Sequence, residues 1–194
     1  MSAAGVLALQ GDWDAHRRIL QRLGAEARTV RTAADLEAVG ALIIPGGESS
    51  AMLRLMESED LFHRLRERVA AGMAVLGTCA GVILLAEAVE PKQPSIGGLS
   101  VTAVRNAYGR QLDSMVAEVE LTPELGPPSR IEGVFIRAPR ISRTGPEVEV
   151  LGRWRGDPVL LRQGLVLGAT YHPELGADAR VHEMFLRMGE DGHA

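Results

Sequence analysis

The first half of the chain alternates short apolar runs with segments in which apolar residues recur at helical spacing. Each apolar run is continuous, which is typical of a parallel strand that is buried on both faces. The runs that we interpret as strands are residues 5–9, 27–30, 40–44 and 74–77. The segments that we interpret as helices are residues 13–23, 33–38, 51–57 and 61–71. This alternation predicts an α/β fold of three layers, in which helices flank an open, mostly parallel sheet.

The second half of the chain has a different pattern. The helical segment that begins near residue 80 is expected to end at about Ala88, because prolines and glycines follow it. Short β-like runs come next, at residues 99–104, 115–121, 133–136, 148–151, 159–161 and 165–170. We therefore expect an added mixed or antiparallel part in this half, followed by a last helix at about residues 178–188. Because no linker or repeat divides the chain, we expect a single domain over residues 1–194.

Composition and charge restrict the possible partners. The 194 residues are 46% apolar and 24% charged, as in an ordinary globular protein. The net charge is −4 and the basic residues are spread along the chain, which does not favour a nucleic-acid partner. No apolar run approaches the roughly 18 residues of a membrane span, and the start of the chain lacks the basic region of a signal peptide. A single cysteine fits a reducing compartment, so a cytoplasmic protein without a membrane partner is expected.

The single cysteine, Cys79, stands in a Gly-Thr-Cys-Ala-Gly turn between an apolar run and a helical segment. Gly77 and Gly81 flank it as in a nucleophile elbow, the strained strand-to-helix turn that exposes a nucleophile, here with Cys in place of Ser. The turn sets the sulfur at the start of a helix, where free N–H groups favour the thiolate. The N–H of Ala80 is then a candidate donor to an oxyanion. Most lone cysteines are simply small buried apolar residues, but the flanking glycines favour the elbow.

Three loops are expected to meet at one edge of the sheet. They are residues 10–11, residues 46–48 and the turn at Cys79, and each follows a predicted strand. Ligands of open α/β sheets bind outside the carboxyl ends of the strands, so the three loops predict one crevice. Taken alone, Gly46-Gly47 is equally compatible with an ordinary tight turn.

A His-Pro-Glu sequence follows the last predicted strand. His172 and Glu174 are two residues apart, and in an extended segment that spacing places both side chains on one side. The imidazole can then accept the proton of the Cys79 thiol while the carboxylate holds the ring in the right tautomer. By itself such a pair is more often solvated surface, so the triad is predicted only in combination with Cys79. The order nucleophile, histidine, acid differs from that of α/β-hydrolases and favours another family.

Six stretches, spread over nearly the whole chain, carry a family resemblance: residues 5–11, 45–49, 77–81, 105–111, 135–139 and 172–175. The chain resembles the class I, or triad, glutamine amidotransferases. It is most similar to the branch formed by the glutaminase subunits of pyridoxal 5'-phosphate synthases. The cysteine turn and the His-Pro-Glu sequence belong to the class as a whole. The Gly-Gly-Glu-Ser, Arg-Asn-x-x-Gly-Arg-Gln and Phe-Ile-Arg-Ala-Pro stretches distinguish the branch.

The resemblance implies the class I amidotransferase fold and the hydrolysis of L-glutamine to L-glutamate and ammonia through a cysteine thioester. The implied catalytic residues are Cys79 as nucleophile, His172 as base and acid, and Glu174 as the residue that orients His172. The implied oxyanion hole consists of backbone N–H groups at Gly46, Gly47 and Ala80. The implied L-glutamine-binding residues are Gly47, Glu48, Ser49, Arg105, Ile136 and Arg137.

The two arginines of this set leave a question open. An arginine suits the α-carboxylate of the substrate, because its guanidinium forms paired hydrogen bonds with a carboxylate. The sequence does not say whether Arg105 or Arg137 holds that group, or whether it does so through side chain or backbone. Either arginine, considered singly, is by default solvated surface.

The resemblance also implies a partner. This is a synthase subunit that uses the ammonia to build pyridoxal 5'-phosphate, in a large hetero-oligomer with one glutaminase on each synthase. Binding of the synthase would order the oxyanion loop, so the free glutaminase is expected to be weakly active. No metal and no organic cofactor are implied, because a thiolate and an imidazole suffice for the reaction.

Three other functions remain open at this point. The first is the glutaminase subunit of another amidotransferase, such as imidazole glycerol phosphate synthase, which the stretches at 105–111 and 135–139 disfavour. The second is a catalytically silent scaffold on the same fold, which the complete Cys, His and Glu set makes a poor fit. The third is a peptidase or γ-glutamyl hydrolase. The remaining histidines fit no site pattern and are expected to be structural or solvated: His16, His63, His182 and His193.

Overall fold

In the computed structural model, which describes residues 3–57, 60–107 and 114–191, two β-sheets and six α-helices make up the fold. The strands are β1 (Ala4–Leu7), β2 (Ala27–Val30), β3 (Ala41–Ile44), β4 (Ala74–Thr78), β5 (Ala86–Glu90), β6 (Leu99–Val104), β7 (Ser114–Leu121), β8 (Arg130–Ile136), β9 (Arg140–Thr144), β10 (Glu149–Trp154), β11 (Asp157–Gln163) and β12 (Val166–Ala169). The helices are α1 (Trp13–Arg22), α2 (Ala33–Glu37), α3 (Ser49–Glu57), α4 (Leu61–Ala70), α5 (Ala80–Leu85) and α6 (Arg180–Asp191).

The main sheet has the strand order β2-β1-β3-β4-β12-β11-β10-β7-β8. The first five strands are parallel, and from β11 onward each strand pairs antiparallel with its neighbour. A second sheet, β5-β6-β9, covers one flank. The predicted fold is therefore confirmed: an open, mostly parallel sheet forms the N-terminal half, and antiparallel strands are added in the C-terminal half.

The core lies in two layers, one on each face of the main sheet. Adjacent residues of a parallel strand point into opposite layers, as Val6 and Leu7 of β1 do. One layer packs the sheet against α2, α3, α4 and α5, with Leu36, Met52 and Leu65 fully buried. The other packs it against α1 and α6. Burial on both faces explains why the parallel strands read as continuous apolar runs.

The structure corrects the predicted elements at two places in the second half. The helix after Cys79 ends at Leu85, not at about Ala88, because Ala86 is extended and begins β5, which pairs with β6. The helix also ends early because the N–H of Ile96 donates to the carbonyl of Leu84, at 2.6 Å. Strand β9 was not predicted, since its Arg-Ile-Ser-Arg-Thr sequence carries one apolar residue.

None of the helices in the described ranges combines the length and the apolar character needed to cross a membrane.

Candidate active site

Cys79 lies at the sharp turn that joins β4 to α5. Its φ is 49° and its ψ is −104°, a strained backbone conformation for a residue with a side chain. The turn is held because the Cys79 N–H donates to the carbonyl of Ala169 in β12, at 2.8 Å. A nucleophile elbow requires this geometry, and the structure places the cysteine in it.

The glycines on either side of the cysteine are needed for close packing. A Cβ added to Gly77 would lie 2.7 Å from the carbonyl carbon of Gly81, so strand and helix approach each other closely at this point. A Cβ added to Gly81 would collide with the backbone carbonyl of Ile44 at the end of β3. The elbow is therefore packed directly against the neighbouring strand end.

Strand β8 positions His172 beside the cysteine. Its N–H donates to the carbonyl of Val134 in β8, at 2.8 Å, which fixes the segment after β12. The predicted extended geometry after His172 was wrong, because Pro173–Leu175 forms a 3-10 turn. The turn nevertheless brings Glu174 back to the ring, and His172 Nδ1–H donates to Glu174 Oε1 at 2.6 Å.

The remaining ring nitrogen of His172 is left for the cysteine. Nε2 is buried and makes no hydrogen bond of ordinary geometry, but it lies close enough to the Cys79 thiol to interact with it. Burial of the ring opposes its charged form, and the interactions with Cys79 and Glu174 outweigh burial and raise the pKa of His172 to about 10. These groups therefore favour the imidazolium form of His172 beside the Cys79 sulfur.

Cys79 and His172 open onto a cleft of about 280 Å³, and Glu174 lies buried behind His172. The cleft is lined by every residue that the sequence singled out for L-glutamine: Gly47, Glu48, Ser49, Arg105, Ile136 and Arg137. Gly46, Cys79 and His172 also line it. Cys79 Sγ lies 3.7 Å from the carbonyl oxygen of Ile136. The sulfur therefore lies next to the side of the cleft that Ile136 lines.

The loop after β3 is pressed against the catalytic side chains. A Cβ at Gly46 would collide with the His172 ring and lie 3.3 Å from the Cys79 Cβ, so only glycine fits here. The loop after β1 holds this segment, because Gln10 Oε1 accepts a hydrogen bond from the Glu48 N–H at 2.8 Å. The convergence of three loops that the sequence predicted is therefore present. Ala80 is the first residue of α5, and its N–H belongs to the first helical turn, where no intrahelical partner exists.

A polar group of side chains forms the wall of the cleft opposite the triad. Arg105 donates to Glu48 Oε1 at 3.2 Å and to Gln93 Oε1 at 2.9 Å. The Ser49 hydroxyl also donates to Gln93 Oε1, at 3.2 Å. Hydrogen bonds from Ser50 and Ala51 help to hold the pKa of Glu48 below its usual value, against the effect of burial. Glu48 is thus a carboxylate in the cleft, and Arg105 is a guanidinium already fixed beside it.

Of the histidines that the sequence left as structural or solvated, two are structural and lie next to the triad. His16 and His182 are fully buried, and His16 Nε2 lies 3.3 Å from Glu174 Oε2. A signal was available in the sequence, because His16 lies on the same apolar face of α1 as Ile19 and Leu20, and a buried histidine needs polar partners. His63 is exposed, as expected.

Several positions of interest lie outside the described residues. They are residues 108–111 of the Arg-Asn-x-x-Gly-Arg-Gln stretch, and His193. Within residues 3–57, 60–107 and 114–191, no group of three or more His, Cys, Asp or Glu side chains has the arrangement of a metal site.

Comparison with known proteins places this geometry in a family. Residues 6–191 match the model of the SNO glutamine amidotransferase family. A protein of Koribacter versatilis named "Pyridoxal 5'-phosphate synthase subunit PdxT" is 51% identical over 192 residues, which cover 98% of this chain and 97% of that protein. A protein of Fervidobacterium nodosum with the same name is 46% identical over 188 residues, covering 96% and 97% of the two chains.

A solved structure shows the same fold. It is a crystal structure of a glutamine amidotransferase, 44% identical to this chain, with a TM-score of 0.89. The superposition covers 97% of this chain and 99% of the other. The similarity therefore extends over the whole fold, including the added antiparallel strands.

Proposed function

This chain belongs to the SNO glutamine amidotransferase family, and from that premise we propose that it is the glutaminase subunit of a pyridoxal 5'-phosphate synthase. It hydrolyses L-glutamine to L-glutamate and ammonia. The observation that carries the proposal is that Cys79 and His172 meet at one cleft, with Glu174 hydrogen-bonded behind His172, in a chain whose relatives of the same length bear that synthase's name.

The proposed reaction proceeds through a thioester. The Cys79 thiolate attacks the side-chain amide carbon of glutamine, and the carbonyl π electrons move to oxygen. The intermediate collapses as the His172 imidazolium gives its proton to the departing nitrogen, which leaves as ammonia. Neutral His172 then takes one proton from the water molecule that attacks the thioester. The C–S bond breaks, Cys79 leaves as the thiolate beside the imidazolium, and the product acid gives its remaining proton to solvent and departs as glutamate. Glu174 keeps the ring in the Nδ1–H tautomer throughout.

The oxyanion of both tetrahedral intermediates needs donors beside the sulfur. We assign this task to backbone N–H groups at Gly46, Gly47 and Ala80. The support is positional, because Ala80 starts α5 directly after the nucleophile and Gly46 lies against the Cys79 and His172 side chains. Removing one such donor from an enzyme costs about 10²- to 10³-fold in kcat.

The cleft wall provides the groups that recognise the α-amino and α-carboxylate ends of the substrate. We propose that Glu48 faces the ammonium group and that the Arg105 side chain binds the carboxylate. Arg105 is the better candidate because Glu48 and Gln93 already hold its guanidinium in the cleft, whereas Arg137 is exposed. Losing a hydrogen bond to a charged group costs about 1.5–3 kcal/mol. Arg105→Ala should therefore raise KM for glutamine at least about tenfold, and Arg137→Ala should raise it less.

The partner is a synthase subunit, and we also propose how the two subunits assemble. We propose a large hetero-oligomer with one glutaminase on each synthase, in which ammonia passes directly to the synthase. Direct transfer has a chemical reason, since most free ammonia in neutral water is protonated and is then a poor nucleophile. We further propose that the chain acts as one domain in the cytoplasm, where a reducing environment keeps the catalytic thiol free.

The test is a glutaminase assay on the chain assembled with the synthase subunit of its own organism. Cys79→Ala and His172→Asn should each lower turnover by about 10³-fold or more while glutamine still binds. More than a few per cent of the wild-type rate in either variant would refute the triad. A second arm replaces the synthase with the cyclase subunit of imidazole glycerol phosphate synthase. Stimulation by that subunit alone would assign the chain to the other pathway.

A further inference from the structure

A chain of buried side chains continues behind the triad carboxylate. One oxygen of Glu174 is bound to His172, and the other, Oε2, faces Nε2 of His16 at 3.3 Å. The side chains of His16 and Glu174 are completely buried. On the far side, His16 Nδ1 lies 2.9 Å from Nε2 of His182 in α6. Helix α1 thus meets α6 and the turn that carries Glu174 at the back of the active site.

The hydrogen-bonding capacity of these groups assigns the protons. A carboxylate only accepts, so the His16 Nε2 that faces Glu174 carries a hydrogen. Neutral His16 then accepts at Nδ1, which makes His182 Nε2–H the donor to it. The remaining nitrogen, His182 Nδ1, is buried and has no hydrogen-bond partner in residues 3–57, 60–107 and 114–191, as a bare acceptor would be. The N–H groups therefore all point the same way: His182 donates to His16, and His16 presents its N–H to Glu174.

Burial keeps the two histidines neutral. Burial lowers the pKa of His16 well below its usual value, and the neighbouring rings of His182 and His172, whenever they are protonated, oppose its charged form further. Burial, with a contribution from Arg22, lowers the pKa of His182 to about 4. At neutral pH the pair therefore offers fixed N–H dipoles to Glu174 and adds no charge to the site.

A buried carboxylate with one donor has an oxygen left unsatisfied, which costs free energy and allows it to turn or to take up a proton. Glu174 Oε2 makes no hydrogen bond of ordinary geometry within the described residues, and His16 Nε2 faces it at 3.3 Å. His16 Nε2 does form a hydrogen bond with the hydroxyl of Thr78, at 3.2 Å, so the two oxygens compete for its hydrogen. Thr78 is therefore the rival partner that an experiment must separate from Glu174.

We propose that His16 is a positioning residue of the glutaminase: its Nε2–H holds the second oxygen of Glu174, so that the first stays on His172 and the ring stays aimed at Cys79. His182 supports it by fixing its tautomer. This inference rests on the proposed function, because it assigns a role in the triad of that reaction. It adds a buried pair from α1 and α6 to the residues on which turnover depends.

The test compares four variants in the assembled complex: His16→Leu, His16→Asn, His16→Gln and Thr78→Val. The amide nitrogen of glutamine reaches the place of Nε2, whereas that of asparagine reaches only the place of Nδ1. His16→Leu and His16→Asn should lower kcat about 10- to 100-fold, as loss of an orienting partner behind a catalytic group does. KM for glutamine should stay within about twofold, since the cleft is untouched. His16→Gln should recover most of kcat, and Thr78→Val should stay near wild type.

A second readout separates positioning from a loss of folding. The rate of Cys79 alkylation by iodoacetamide, followed against pH, reports the formation of the thiolate. In His16→Leu and His16→Asn the midpoint should move to higher pH, because a poorly held Glu174 stabilises the imidazolium less; in His16→Gln it should not. The pair His16→Asn and His16→Gln keeps the comparison valid if His16→Leu does not fold.

Two results would overturn the inference. One is a wild-type kcat and alkylation midpoint in His16→Asn. The other is a loss in Thr78→Val equal to that in His16→Leu, which would mean that His16 acts through Thr78. Failure of the proposed function looks different, because the wild-type complex would then hydrolyse no glutamine in the same assay, or Cys79→Ala would remain active.

Discussion

At the scale of single residues, the protonation of His172 depends on its two neighbours, Cys79 and Glu174. The ring of His172 is largely buried, and burial alone would favour its neutral form. Its pKa rises because Cys79 and Glu174 both interact with the ring. The catalytic proton is therefore held by the cooperation of three side chains from two parts of the chain, and removing any one of them should change the titration of the others.

Replacing Cys79 with alanine should lower the pKa of His172 from about 10, because only Glu174 then opposes the effect of burial. A raised pKa stabilises the folded state fully below the unfolded value of about 6.5, and this contribution is lost as pH rises through the folded value. In Cys79→Ala the loss should begin at the same pH, about 6.5, but be smaller and be complete at a lower pH. NMR titration of the ring and urea unfolding at several pH values measure the two effects. An unchanged His172 titration would contradict the account.

At the scale of elements, the site is built where strand ends meet loops that tolerate no side chain. The elbow after β4 touches the end of β3 through Gly81, and the loop after β3 touches the triad through Gly46. These contacts leave almost no space, so the position of the nucleophile is set by backbone packing. The precision of the site therefore depends on the ends of β3 and β4 as much as on the catalytic residues.

The variant Gly81→Ala should show whether turnover depends on this local packing or only on the overall stability of the protein. Its Cβ would press on the carbonyl of Ile44, which overpacks the elbow at a cost of about 1–3 kcal/mol. The matched control is Gly72→Ala, whose φ of 91° is unfavourable for alanine but whose Cβ would meet no atom within 4 Å. That strain costs about 1–2 kcal/mol. Both variants should unfold at lower urea, and only Gly81→Ala should lose turnover.

Equal activity in the two variants would show that the elbow tolerates displacement. Loss of activity in both would indicate that stability alone limits turnover.

The elements that the sequence predicted well are those with a strong local signal. The parallel strands were predictable because burial on both faces makes them continuous apolar runs, and the loops at residues 46–48 and at Cys79 because they follow those strands. Arg105, Ile136 and Arg137 were named only because the family resemblance implied them.

The end of α5 at Leu85 was not predictable, because Ala-Glu-Ala-Val-Glu has good helix propensity and only its pairing with β6 makes it a strand. The contact of His16 with Glu174 was not predicted, since it joins residues 158 positions apart.

At the scale of the whole molecule, the two halves contribute different parts of one cleft. The parallel half supplies the nucleophile and the loop at Gly46, and the antiparallel half supplies the anchor of His172 on β8 and the wall at Ile136. Among residues 46–48, one backbone N–H donates to a side chain of the described residues: that of Glu48, which donates to Gln10 Oε1. A loop with two adjacent glycines and so few restraints is suited to control by a partner.

The synthase subunit should therefore raise glutamine turnover about tenfold or more, since ordering of one oxyanion donor is worth that much or more in kcat. The measurement is the rate of glutamate formation by the free chain and by the chain with saturating synthase. A mixture that contains Cys79→Ala serves as the control for glutaminase activity of the partner. Equal rates with and without the synthase would remove the ordering of the loop from the account.

The most direct test of the central claim is to observe the covalent intermediate. The complex is mixed with L-glutamine, quenched in acid within the first turnovers, and digested for mass spectrometry. We predict that one γ-glutamyl group is found on the peptide that carries Cys79, and that the adduct is absent from Cys79→Ala and from His172→Asn. Glutamate formation at the wild-type rate with no adduct on Cys79, or an adduct on another residue, would contradict the account.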